Sequence, residues 1–174
     1  ELGDWPTKNW QSNSWGKGEE IYDYFYNNNL VTNEGCYTGC PVACGRRARV
    51  GSGKYKTPEH GGAEYESISA FTSFLLNDDV DAAVHSTYLC NEYGLDTISA
   101  GANIAFLMDC HDNGLIDEKY LEDLDLSWGN PDVLAKLIKK IAHREGIGDL
   151  VADGVARAAD KVGDRAEEMA IHGK

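Results

Sequence analysis

Three cysteines, Cys36, Cys40 and Cys44, fall within nine residues in the stretch GCYTGCPVACGR, 35–46. Thiols at this density suit a metal–sulfur centre. Gly35, Gly39 and Gly45 let the backbone wrap round a cofactor and turn N–H groups toward its sulfurs. A [4Fe-4S] cluster is the first expectation. Pro41, directly after Cys40, fits the first position of a helix, which would place two ligands in the loop and cap and the third one turn in. Other uses of the thiols stand beside this one. Structural zinc needs four ligands, and the paired two-cysteine knuckles that mark such sites are missing. A disulfide framework suits neither the odd total of five cysteines nor the length of 174 residues. Cys90 and Cys110 lie in apolar helical patterns and read as buried thiols.

Two acidic constellations lie further along. In GGAEYES, 61–67, Glu64 and Glu66 flank Tyr65 at a helix start, where acids ordinarily complement the helix dipole. In NEYGLDTIS, 91–99, Asn91, Glu92 and Asp96 surround a Gly94–Leu95 turn between two helices. Asp96 reads either as the N-cap of the following helix or as a carboxylate offered to a ring N–H of a bound cofactor. His60, His85 and His111 stand singly and read as structural groups. No nucleophile triad, phosphate loop or two-histidine zinc helix is present.

The elements that must position these groups are mainly helical. Residues 1–17 form an irregular arm in which Trp5, Trp10 and Trp15 follow no period; it packs either on protein beyond this sequence or on its own core. A short helix over Gly18–Asn28 follows, with Ile21, Tyr24 and Phe25 on one face. The segment RRARVGSGKYKTPEHGG, 46–62, is a Gly-rich loop with a short hairpin around Gly51–Gly53. From Glu64 onward, helices are marked by Ile68, Phe71 and Leu75, then by Val80, Val84 and Tyr88 up to Gly94. Ile98, Ala102 and Ala105 mark a small-residue helix that another helix or a ligand can approach closely. Asn130 and Pro131 cap a helix with Leu134, Leu137, Ile138 and Ile141 on its stripe. A last helix runs from Asp149 through Val151, Val155, Ala158 and Val162 to Gly163. No alternating strand pattern competes. The reading is one mainly α domain over 1–174: an arm to about 17, a cysteine loop over about 30–63 and a helical body over about 64–174.

Composition narrows the partners. A net charge of −13 with a pI near 4.7 disfavours nucleic acid and anionic membrane surfaces. No eighteen-residue apolar run and no targeting segment appear. Unpaired cysteines without a signal sequence point to reducing, cytoplasmic surroundings. With no initiator Met and an unterminated end at HGK, the ends read as cut, and the expectation is a piece of a longer protein.

Taken in order, NWQ, CYTGCPVACGR, GGAEYES, LCNEYGLDTISAGANIAF and LVADGVARAADKVG resemble the tungsten-containing aldehyde:ferredoxin oxidoreductase family over nearly the whole chain. The resemblance implies the helical middle of that enzyme, lacking a β-rich domain upstream and a further helical domain downstream. It implies oxidation of an aldehyde to a carboxylic acid, ferredoxin as electron acceptor, a [4Fe-4S] cluster and a tungsten or molybdenum bis-pterin cofactor. Cys36, Cys40 and Cys44 would hold three cluster corners, with the fourth ligand from the later domain rather than from Cys90 or Cys110. Glu64 or Glu66 matches the proton-transfer glutamate near the metal, work that a burial-raised carboxylate pKa would suit. Asn91, Gly94, Leu95 and Asp96 match the pterin-binding Asp-x-x-Gly-Leu-Asp motif. Two departures stand out. The family's Cys-x2-Cys-x3-Cys reads here as Cys-x3-Cys-x3-Cys, so one residue is looped out at Thr38 or Gly39 or the cluster is held differently. Asn91 replaces an Asp, keeping an acceptor and adding donors while losing the charge. His85 falls near a dimer-interface metal position of some relatives but lacks the matching Glu-x-x-His, and a homodimer stays open. Two rival readings remain: a non-catalytic iron–sulfur electron-transfer or interaction module without the tungsten site, and a purely structural helical domain.

Overall fold

The computed structural model describes residues 5–163 and 165–172. Among the described residues, seven α-helices and a small antiparallel sheet make up the fold: α1 (Gly18–Tyr24), β1 (Leu30–Glu34), β2 (Gly45–Ala48), β3 (His60–Gly61), α2 (Tyr65–Phe71), α3 (Val80–Tyr93), α4 (Thr97–Asp112), α5 (Leu134–His143), α6 (Ile147–Val151) and α7 (Val155–Val162). The protein is therefore mainly α. Of this sheet only the hairpin around Gly51–Gly53 was expected, and the pairing of β1 was not. The strand order is β1–β2–β3, with Glu34 opposite Gly45 and Arg47 opposite Gly61. The turn expected near Gly51–Gly53 joins β2 to β3, closed by Thr57 N–H donating to the Val50 carbonyl at 3.1 Å.

The helix α4 forms the centre, with Ile104, Ala105, Phe106, Leu107, Met108 and Cys110 all fully buried. Its burial runs round most of its circumference, so the expected stripe of Ile98, Ala102 and Ala105 is incorrect; Ile98 is exposed. The small-residue reading holds at Gly101, where a Cβ would lie 2.6 Å from the Ala70 carbonyl oxygen of α2. Only glycine permits that crossing. The helix α3 ends as expected at Gly94, which adopts the left-handed conformation at φ +67°, and the Leu95 N–H returns to the Cys90 carbonyl at 2.8 Å.

Three further expectations are corrected. The first helix stops at Tyr24 and unwinds through a π turn over Phe25–Asn29. The helix after Glu64 breaks at Thr72, whose hydroxyl donates to the Ile68 carbonyl at 2.6 Å, and a 3-10 turn over Ser73–Leu75 follows. The last helix is two helices, because Gly154 at φ +93° interrupts the pattern between α6 and α7.

The arm folds onto this body. Trp5 meets Tyr22 and Tyr65 edge-on at 5.3 and 5.6 Å. Buried Asn9 donates from Nδ2 to Asp109 of α4 and to the Met169 carbonyl, both at 2.8 Å. Gln11 and Asn113 also donate to the Asp109 carboxylate, so that buried acid is satisfied by amides. Among the described residues, no helix is long and apolar enough to cross a membrane.

Candidate functional site

The cysteine stretch is the tip of the β1–β2 hairpin. Pro41 starts no helix there; residues 41–44 are irregular, because Ala43 takes φ +44° and β2 begins at Gly45. Tyr37 to Cys40 make a turn, with the Cys40 N–H on the Tyr37 carbonyl at 3.2 Å and Gly39 at φ +89°. That turn accommodates the three residues between Cys36 and Cys40. Gly35 is required by crowding: a Cβ there would stand 2.8 Å from the Cys40 Cβ.

None of the three thiols is in a disulfide; Cys36 and Cys44 are exposed and Cys40 is half-buried. The backbone N–H groups of Ala43 and then Val42, together with Cys36, hold the Cys40 thiol below its usual range. N–H groups turned onto sulfur are what a metal-bound thiolate needs. Among the described residues no three His, Cys, Asp or Glu side chains are gathered so as to hold a metal ion as they stand. Three thiols close in sequence, one of them favoured as thiolate by nearby amides, are nevertheless the donor chemistry that an iron–sulfur cluster takes. Cys90 and Cys110 are poor donors, since burial, and secondarily Asp96 and Asp109, push each thiol up to about 12.

The ladder carries the chain from this hairpin to the glutamates. After β3 it passes through Gly62 at φ +112° and buried Ala63 at φ +61°, a strained turn that ends at Glu64. Glu64 is half-buried, whereas Glu66 is exposed in the first turn of α2. A Cβ added to Gly62 would lie 3.5 Å from Glu64 Oε2 and 3.8 Å from Asn91 Nδ2, so carboxylate and amide flank the same glycine. Asn91 donates to the Gly61 carbonyl at 2.7 Å.

The Gly94–Leu95 turn lies beside them, because Ser67 of α2 and Thr97 of α4 share a hydroxyl hydrogen bond at 2.8 Å. Asp96 caps α4, accepting the Ser99 N–H at 2.7 Å, while its side chain remains exposed. Leu95 is half-buried against the core. The structure thus groups Glu64 and Asp96, at the starts of α2 and α4, with Asn91, Gly94 and Leu95 at the end of α3, and the cysteine hairpin lies one strand away. The sequence reading missed Gly62; the alternation Arg47, Ala48, Arg49, Val50 was the available sign of a strand leading to it.

His85 offers Nδ1 to the Tyr55 carbonyl at 3.1 Å, and His60 offers Nδ1 to that of Gly61 at 3.0 Å while its buried Nε2 is unpartnered. Both rings pack on Tyr88.

The helical body thus presents a thiol hairpin beside a carboxylate and a glycine turn. The chain belongs to the aldehyde ferredoxin oxidoreductase family: the model described as "Aldehyde ferredoxin oxidoreductase, domains 2 & 3" matches residues 1–174. It is 36% identical over 180 residues to a tungsten-containing aldehyde ferredoxin oxidoreductase of Pyrococcus furiosus, and 34% identical over 183 residues to that of Thermococcus kodakarensis. Each match covers 98% of this chain and 28% of the relative, so the chain spans about 28% of the length of these curated relatives. The WOR-like subunit of an aliphatic sulfonate oxidoreductase of Pyrococcus furiosus is 30% identical over 91% of this chain and 25% of its own. Among solved structures, the active site complex BamBC of benzoyl coenzyme A reductase, in complex with 1,5-dienoyl-CoA, is similar at a TM-score of 0.72 and 25% identity, over 90% of this chain and 22% of that one.

Proposed function

We propose that this chain supplies the cluster hairpin, the proton-handling glutamate and one wall of the pterin site to a tungsten-dependent enzyme that oxidises aldehydes to carboxylic acids with ferredoxin as acceptor. One observation carries the reading. The β2–β3 ladder sets the Cys36, Cys40 and Cys44 hairpin beside the strained turn that Glu64 and Asn91 flank. When bound, the tungsten (or molybdenum) bis-pterin and the [4Fe-4S] cluster take up the substrate's electrons and pass them on.

The chain's own residues do the rest. Cys36, Cys40 and Cys44 would hold three corners of the cluster, with amides already turned onto Cys40. Glu64, half-buried at the head of α2, is the favoured group to hold and move a proton at a carboxylate oxygen, and Glu66, exposed in the first turn, is its alternative. Gly94, with open space where a side chain would stand, would admit the pterin, and Leu95 and Asp96 would hold it, Asp96 through its exposed carboxylate. The aldehyde assignment rests on the relatives at 36% and 34% identity rather than on the sulfonate relative at 30%.

The test uses the complete protein, made without oxygen. Iron, sulfide and tungsten are expected together, with aldehyde-dependent reduction of a viologen dye, and Cys40→Ala should lose iron. The 174 residues alone should give no such reduction. A specific observation favours one other reading, a cluster-bearing module without tungsten: Asn91 spends its donor on Gly61 rather than presenting a charge. Iron and sulfide without tungsten in the complete protein would establish that module instead.

A further inference from the structure

We infer that Arg46 is the residue that sets Glu64 in place relative to the cysteine hairpin, a positioning residue for the proposed reaction; the inference rests on the reading of Glu64 given above. Arg46 lies in β2, two residues after Cys44, and its side chain is half-buried. Its backbone carbonyl accepts the Gly62 N–H at 2.8 Å. Its Nη1 donates to the Ala63 carbonyl at 3.2 Å, and its Nη2 donates to the Tyr26 hydroxyl at 3.0 Å. One residue therefore grips both sides of the strained Gly62–Ala63 turn, immediately before Glu64.

The guanidinium is itself held. Its carbon lies 5.3 Å from the centroid of Tyr26, 5.5 Å from Phe25 and 5.9 Å from Tyr22, three rings of the α1 region. Phe25 is fully buried, so the aromatic seat is anchored in the core. The planar fork reaches two acceptors on different elements at once; an ammonium on a flexible stem cannot reproduce both directions. Left-handed backbone at Ala63 has to be imposed by its surroundings, and Arg46 imposes it from the hairpin side. Any displacement of the hairpin is then carried to Glu64 through Arg46.

The experiment uses the complete, metal-loaded protein in three forms: wild type, Arg46→Lys and Tyr26→Phe. Amide hydrogen exchange over 60–66 should quicken by about tenfold in Arg46→Lys, less in Tyr26→Phe, and stay unchanged in α3 and α5. In Arg46→Lys, kcat should fall on the order of tenfold to a hundredfold, with KM and the iron and tungsten contents unchanged. Exchange over 60–66 equal to that of the wild type would overturn the inference, as would a fall in kcat that merely tracks lost iron. If the wild type oxidises no aldehyde, the functional reading fails, and the exchange comparison alone decides the role of Arg46.

Discussion

The Asn91 side-chain amide donates to the Gly61 carbonyl across thirty residues of sequence, tying the last turn of α3 to the strand that leads to Glu64. An aspartate at this position could make the contact only when protonated. Asn91→Asp should therefore destabilise the protein by about 1 kcal/mol at neutral pH, the worth of one net hydrogen bond. Urea unfolding should show the penalty shrinking toward pH 4, as the introduced carboxyl gains a proton to donate. An equal penalty at both pH values would discount the bond.

In metal-stripped protein, brief treatment with iodoacetamide near neutral pH should label Cys40 ahead of Cys44, because amides of Ala43 and Val42 favour its thiolate. Cys90 and Cys110, buried with thiols pushed up to about 12, should stay unlabelled until unfolding. Tandem mass spectrometry reads the order, and early label on Cys90 would contradict the burial.

Burial lowers the pKa of His60 and of His85 below the ordinary 6.5. Between the folded value and 6.5 the unfolded chain binds more protons, so stability is complete above 6.5 and declines as pH falls through that window. His60→Gln should flatten the decline, as measured by unfolding midpoints from pH 7.5 to 5. A slope identical to that of the wild type would mean that His60 does not contribute.

Gly101→Ala places a methyl 2.6 Å from the Ala70 carbonyl oxygen, where neither helix backbone has room. A loss of about 1–3 kcal/mol is expected from the forced separation of α2 and α4. The same movement should part Ser67 from Thr97 and disturb the adjoining helix starts. Thermal unfolding gives the first quantity; exchange at the start of α4 gives the second.

Asn9→Ala removes two buried donor contacts, to Asp109 and to Met169, and leaves the Asp109 carboxylate short of a partner. About 2–3 kcal/mol should be lost. Limited proteolysis should then cut the arm first; an arm as resistant as the wild type would place its anchorage elsewhere, on Trp5.

The helices were legible because each amphipathic stripe buries one face: Leu137, Ile138 and Ile141 of α5 line the core as their spacing implies. The helix α4 escaped the stripe reading because a helix enclosed on most sides has no polar face to set a period. The sheet escaped for the opposite reason. Four of the five residues of β1 are exposed and β3 is two residues long, so neither imposes alternation, and only the short run Arg47 to Val50 alternates. The cysteines, Glu64 and the Gly94–Leu95 turn stood out by residue type. Their mutual placement did not, because it depends on contacts such as Asn91 to Gly61 that no local pattern encodes.

The hairpin tip lies outside the hydrogen-bonded ladder, and this separates two kinds of spacing. Residues can be gained or lost between Tyr37 and Cys40 without shifting Glu34 from Gly45, so the count between the first two thiols is not fixed by the ladder. The stretch from Cys44 to Glu64 has no such freedom within its strands. A single insertion in β2 would turn the side chains of the rest of that strand to the opposite face and shift its pairing with the strand that leads to Glu64.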